Sequence, residues 1–191
     1  ISNSAVASMG YDLPAAIGAC MAAHDPEFEG DGYSKHDIIL LTGEGSIQMN
    51  IQELQTIIHH KMPIKIFLIN NGGYHSIRQT QKNFFGEPLV GIGVDSHDLS
   101  FPDMEKLAAA YGYPYVVAHH NEELAGAVEK TLAMDGPVIC EFYVTTDQNF
   151  EPKSSAKRLP DGTLVSPPLE DLSPFLPDEE MDKLMIIPRI K

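Results

Sequence analysis

The sequence predicts an α/β domain of the three-layer, Rossmann-like kind, a mostly parallel sheet with helices on both faces. Three observations carry that expectation. Short continuous apolar runs, Asp37 to Thr42 (DIILLT) and Ile64 to Ile69 (IKIFLI), have the length and texture of strands covered on both faces. Stretches of helical period separate these runs from one another and from later ones. Strands that alternate with helices imply crossover connections, and crossovers imply parallel pairing.

Taken in order, Leu13 to His24 is rich in Ala, Ile and Met at helical spacing behind a Gly10-Tyr11-Asp12 turn, and reads as a buried helix. Asp25 to His36 is polar and reads as a surface loop. Its Gly30-Asp31-Gly32 follows no strand and reads as a loop turn. The strand DIILLT then ends in glycine. A helix is expected from about Asn50 to Lys61, followed by the strand IKIFLI. A helix near Pro102 to Tyr111, a strand near Tyr113 to Ala118, a helix from Glu122 to Met134 and a strand from Pro137 to Thr145 complete the alternation. From Asn149 the texture changes, because half of the chain's 14 prolines lie beyond it. The expected organisation is a domain over residues 1–148 and an extended tail over 149–191. That tail carries a turn at Pro160-Asp161-Gly162 and a short helix near Asp178 to Leu184, and serves as a linker or as an arm over the site.

Composition narrows the function. Lys and Arg number 13 against 27 Asp and Glu, a formal charge of −14, which repels a phosphate backbone and argues against a nucleic-acid partner. An anionic ligand in such a field needs local donors, a helix N-terminus or a bridging cation. The two cysteines, Cys20 and Cys140, sit apart in apolar runs with no metal-site or disulfide spacing, which fits a reducing cytoplasm. No stretch reads as a membrane span or a signal peptide, and the opening Ile1-Ser2-Asn3 reads as part of a longer or processed protein.

Ligands of a parallel sheet gather beyond the carboxyl ends of its strands. There stand Gly43-Glu44-Gly45-Ser46 and Asn70-Asn71-Gly72-Gly73, with 24 residues between Gly45 and Asn70, enough for one helix and one strand. The two turns can therefore face each other. Glu44 offers a carboxylate, Asn71 an amide oxygen and Gly73 a backbone carbonyl, and two phosphate oxygens and a water would complete the octahedron of Mg2+. Gly43 and Gly45 let the backbone approach phosphates, and Ser46 offers a hydroxyl near the next helix N-terminus.

These residues resemble the thiamine-diphosphate enzyme family, whose signature is Gly-Asp-Gly, a gap in the middle twenties, then Asn-Asn. Ser8-Met9-Gly10-Tyr11-Asp12-Leu13-Pro14-Ala15-Ala16-Ile17-Gly18-Ala19 is similar to that family's MGYGLPAAIGA stretch. Ile77-Arg78-Gln79-Thr80-Gln81, with Phe84-Phe85-Gly86, is similar to the VRQWQ segment and aromatic pair of its acetolactate synthase group. The resemblance covers roughly residues 4–145. It implies the thiamine-diphosphate-binding fold, thiamine diphosphate and Mg2+ as cofactors, and Glu44, Asn71 and Gly73 as metal ligands. It gives Met9 the role of propping the bent cofactor. It also implies a 2-oxo acid substrate, decarboxylation followed by carboligation, and a homo-oligomer. The cofactor-activating glutamate belongs to a pyrimidine-binding domain of the same or a partner subunit, so no catalytic residue is expected in this chain.

Four positions depart from the family pattern. Glu44 replaces aspartate and carries an extra methylene, Asp12 replaces glycine, and Thr80 and Ser76 replace the tryptophan and methionine that shape the acceptor pocket. Pocket volume sets which 2-oxo acid fits, so a non-ligating decarboxylase stays open as an alternative. A degenerate binding or interaction domain, in which Glu44 has abolished metal binding, is the other. Plainer readings stand beside the sharp ones. Met9 alone would be core filler. The pairs His59-His60 and His119-His120 lack helical metal-ligand spacing. Lys153, Lys157 and Arg158 form either a solvated basic cluster or a group that folds back on the site.

Overall fold

A computed structural model describes residues 1, 7–24, 37–149 and 151–189. The chain divides into two compact units, Ile1–Thr146 and Asp147–Lys191. The expected loop over 25–36, with its Gly30-Asp31-Gly32, lies outside the described residues.

The first unit holds a four-stranded sheet in the order β1-β2-β4-β3, formed by β1 (Ile38–Gly43), β2 (Ile64–Asn70), β3 (Tyr115–Ala118) and β4 (Val138–Tyr143). Every pairing is parallel. Three helices supply one face: α1 (Asp12–Ala23) through Leu13, Ala16 and Cys20, α3 (Glu53–His59) through Leu54 and Ile57, and α5 (Met104–Tyr111) through Met104 and Ala108. They pack on Leu40, Ile64, Ile66, Leu68 and Ile139 of the strands. On the opposite face α6 (Asn121–Ala133) brings Ala127 against Phe67, Val116, Cys140 and Phe142. The three-layer α/β arrangement is thus as expected.

Local chemistry fixes the helix ends. Asp103 caps α5 by accepting the Lys106 amide at 3.1 Å, and Gly112 closes it in the left-handed conformation at φ +79°. The Tyr113 hydroxyl, buried, donates to the Leu54 carbonyl at 2.9 Å and ties the chain leaving α5 to α3. Burial pushes the Tyr113 phenol well above its usual range, so it stays a neutral donor.

Three features differ from expectation. β1 is covered on one face only: Ile39 and Leu41 are 57% and 69% exposed. They stand in register with Lys65 and Phe67, on the α6 side of the sheet, and α6 packs on β3 and β4 without reaching β1. The helix expected from Asn50 begins directly at the strand end as α2 (Glu44–Ile47), passes through a 3₁₀ turn at Gln48–Asn50 and resumes as α3. Ile47, fully buried, anchors that early start. A helix not expected from the sequence, α4 (His75–Phe84), follows β2. Its buried positions are polar, His75, Arg78 and Gln79, while Ile77 is exposed, so its apolar positions do not mark its inner face.

Lys65 lies fully buried on β2, and its ammonium is held by two hydrogen bonds and an ion pair. It donates to the carbonyls of Met134 and of Gly136, the latter at 2.7 Å, just past the C-terminus of α6, and meets Asp37 at 3.7 Å. Lys65→Met leaves those carbonyls without their donor and is expected to cost about 3 kcal/mol. Urea unfolding checks this: the midpoint falls while the slope is unchanged.

The second unit contains a two-residue antiparallel hairpin, β5 (Lys157–Arg158) with β6 (Leu164–Val165), about the Pro160-Asp161-Gly162 turn, and the helix α7 (Asp178–Leu184). Lys157 pairs with Asp171 at 3.3 Å and lies 5.0 Å over the Phe175 ring, and Arg158 donates to the Gly162 carbonyl at 3.4 Å. Both cations have partners inside their own unit. Among the described residues, no helix is long and apolar enough to cross a membrane.

Candidate functional site

The register sets Gly43 at the end of β1 beside Ile69 of β2, so the turns that follow the two strands are neighbours. Glu44 is the first residue of α2 and is 1% exposed. Its carboxylate accepts the Gly73 amide at 2.5 Å and the Asn71 amide at 3.4 Å, crossing directly from one turn to the other. Burial raises its pKa above the ordinary carboxylate value, against the pull of the backbone amides, and the nearby Glu141 carboxylate adds to the rise. The side-chain oxygen of Asn71 is buried with no hydrogen-bond partner among the described residues. A buried acceptor without a donor is costly unless something outside the chain's own donors meets it.

A raised carboxylate pKa has a definite sign. Between the unfolded and folded values the native state binds the extra proton, so Glu44 opposes folding above its folded pKa and ceases to do so as pH falls through it. In cation-free buffer the wild-type melting temperature is therefore expected to gain on that of Glu44→Gln as the pH is lowered. Paired melts across the acidic range check it.

The Asn70 side chain is held at both ends: its amide nitrogen donates to Glu141 at 2.7 Å and its oxygen accepts the Gly72 amide at 3.1 Å. Glu141, 1% exposed on β4, also accepts the Tyr115 hydroxyl. Gly73, at φ +152°, bridges antiparallel to Gly93, and Tyr74 and Val94 complete the ladder through the Ile92 carbonyl at 2.7 Å and the Gly72 carbonyl at 3.1 Å. A Cβ on Gly73 would stand 1.9 Å from the Ile92 oxygen, so only glycine fits.

Ser46 sits one turn into α2, where its hydroxyl oxygen accepts the Gly10 amide at 3.0 Å. Asn50 donates to the Gly10 carbonyl at 2.6 Å. These two bonds bring Met9, 42% exposed, to the same edge as Ser46. Gly45 is explained by packing: a Cβ there would meet the Tyr74 ring at 2.3 Å. Gly43 has only the Ile69 carbonyl near such a Cβ, at 3.8 Å. Asp12, in the first turn of α1, accepts from the Thr42 hydroxyl and from its neighbour Leu13 at 2.9 Å, a tie between α1 and β1.

The structure thus brings Glu44, Asn71 and Gly73 into one cluster, and Met9 and Ser46 into a second at the other side of α2. Sequence reasoning missed Glu141 and the Asn70 side chain. The signal was present: a lone carboxylate inside the apolar run Val138 to Tyr143 needs polar partners. Among the described residues no group of three His, Cys, Asp or Glu side chains is placed to hold a metal, and His119 stacks on Tyr143 at 4.8 Å. A cation here would rest on amide and backbone oxygens beside a single carboxylate.

In a parallel α/β sheet ligands gather beyond the carboxyl ends of the strands, and there this chain places an acidic turn beside an Asn-Gly turn. Residues 1–142 match the family model for the thiamine pyrophosphate enzyme, C-terminal TPP binding domain. The acetolactate synthase large subunit of Porphyra purpurea is 36% identical over 152 residues, covering 80% of this chain and 24% of that protein. Chloroplastic acetolactate synthase 2 of Nicotiana tabacum is 30% identical over 155 residues, 80% and 22% of the two chains. Acetolactate synthase of Mycobacterium bovis is 30% identical over 157 residues, 82% and 24%. The chain belongs to the thiamine pyrophosphate enzyme family, as a C-terminal TPP-binding domain of the acetolactate synthase-like group. It spans about a quarter of the length of these relatives.

Proposed function

We propose that this chain anchors the diphosphate of thiamine diphosphate through Mg2+, with Glu44, the Asn71 side-chain oxygen and the Gly73 carbonyl as its protein ligands. The observation that carries the reading is the buried, unpartnered Asn71 oxygen beside the buried Glu44 carboxylate. Two hard oxygen donors, one anionic, suit a small divalent cation and not a soft metal. Gly43, Gly45 and Ser46 line the start of α2, where backbone amides and the Ser46 hydroxyl are available to phosphate oxygens. Met9 stands at that edge to support the cofactor's bent shape. When bound, the cofactor supplies the electron sink for decarboxylating a 2-oxo acid. The residues of this chain bind and orient it. In this reading the pyrimidine-binding domain of the same or a partner subunit completes the site. The whole protein is a cytoplasmic homo-oligomer that decarboxylates a 2-oxo acid and joins the product to an acceptor.

Calorimetric titration of thiamine diphosphate tests the anchor: binding is expected with Mg2+ present and not without it. Product analysis with pyruvate and related acids separates carboligation from simple decarboxylation, the outcome that the small Thr80 and Ser76 leave open. One observation favours a non-catalytic domain instead. The Glu44 carboxylate already accepts two backbone amides. Absence of any diphosphate response with the pyrimidine-binding domain supplied would select that second reading.

A further inference from the structure

We propose that Arg78 is the positioning residue of the Asn71–Gly73 turn, a clamp that decides which of its oxygens face the cation. The proposal rests on the function put forward above for what the turn holds, and on geometry alone for the clamp itself.

Arg78 lies on α4 and is 1% exposed, with Lys65 the largest side chain to be so completely enclosed. Its guanidinium reaches back along its own helix to the turn that precedes it. One terminal nitrogen donates to the Asn71 carbonyl at 3.5 Å and approaches His75 Nδ1 at 3.2 Å, and the other donates to the Gly72 carbonyl at 3.3 Å. Nε lies 2.9 Å from an Asp95 carboxylate oxygen, an ion pair that balances the buried charge. Asp95 itself lies in the 3₁₀ turn Val94–Ser96, which follows the Gly93 that bridges to Gly73. The second terminal nitrogen would stand 3.1 Å from a Cβ on Gly73, so the fork also closes on that residue.

The consequence is a division of labour among consecutive carbonyls. The Gly72 carbonyl accepts both the guanidinium at 3.3 Å and the Val94 amide at 3.1 Å, which fills its two lone pairs, and the Asn71 carbonyl is drawn towards the guanidinium at 3.5 Å. With those two carbonyls held, the Asn71–Gly72 and Gly72–Gly73 peptide planes are held too. The second plane carries the Gly73 amide and aims it at Glu44, and the first carries the Gly72 amide that the Asn70 side chain accepts and sets where the Asn71 side chain leaves the backbone. A planar fork can hold two carbonyls and a carboxylate at once, whereas an ammonium cannot reproduce that spread.

The test uses the full chain as wild type, Arg78→Lys, Arg78→Met and Lys65→Met, all at a temperature where each is folded by circular dichroism. Hydrogen exchange of individual amides is read first, without ligand. In both Arg78 variants the amides of Gly72 and Gly73, which share the two held peptide planes, are expected to lose at least tenfold in protection relative to the strand amides of β2 and β4. Lys65→Met, which destabilises the sheet elsewhere, is expected to spare that ratio. Magnesium affinity in saturating thiamine diphosphate is read second, with a tenfold loss expected in both Arg78 variants and none in Lys65→Met. Unchanged protection at Gly72 and Gly73 in Arg78→Met overturns the clamp, and full restoration by Arg78→Lys overturns the role of the fork. A wild type that binds no magnesium or diphosphate even with the pyrimidine-binding domain supplied refutes the function put forward above, while the exchange ratio still judges the clamp.

Discussion

Glu44→Ala is expected to weaken magnesium-dependent binding of thiamine diphosphate by roughly a hundredfold, because it removes the one anionic donor from a site that demands near-ideal octahedral coordination. The same substitution relieves a buried carboxylate whose pKa burial has raised. It also leaves the Gly73 amide without its acceptor, so the relief of the buried charge offsets part of a lost buried hydrogen bond and the ligand-free stability is expected to change little at neutral pH. A hundredfold loss of affinity beside a small change in ligand-free stability is not what a simple loss of structure produces. Calorimetry with and without Mg2+ measures the first effect and a ligand-free melt the second. Glu44→Asp refines the point. It draws the carboxylate back from the Gly73 amide it now contacts at 2.5 Å, so a rise in magnesium affinity would show that the longer side chain spends its reach on the turn.

Gly73→Ala is expected to destabilise the chain by about 3 kcal/mol, since a Cβ would overlap the Ile92 carbonyl at 1.9 Å and the backbone is held at φ +152°. At this size that is a fall of roughly 6 to 12 °C in melting temperature. Gly126→Ala on α6 is the matched control. Nothing lies within 4 Å of its Cβ, and alanine in a helix interior is expected to gain about 0.5 to 1 kcal/mol. Opposite shifts from the same chemical change would place the cost in the Gly73–Gly93 bridge.

The strands and the paired turns were legible because each is written locally. DIILLT and IKIFLI are continuous apolar runs of strand length, and the glycines and asparagines behind them mark where the backbone must turn. The helix α4 was not legible, since it turns His75, Arg78 and Gln79 inward and Ile77 outward, so its apolar positions do not mark the buried face. The half-bare β1 was illegible for a different reason: Ile39 and Leu41 carry the same apolar side chains as covered residues, and only the reach of α6 decides. At the site, Glu44, Asn71 and Gly73 could be named from spacing. The roles of Glu141 and Arg78 depend on distances across 71 residues of sequence in one case and on a side chain folding back along its own helix in the other.

The central claim is that Glu44 and Asn71 hold a cation through which the chain binds a diphosphate. Its most direct test is a set of melts with thiamine diphosphate alone, Mg2+ alone, both, and neither. At a hundredfold excess over the dissociation constant the bound state gains about 2.7 kcal/mol, roughly 5 to 10 °C at this size. The account predicts that shift only with both components present, and its loss in Glu44→Ala. An equal shift with thiamine diphosphate alone, or one that survives in Glu44→Ala, would contradict it.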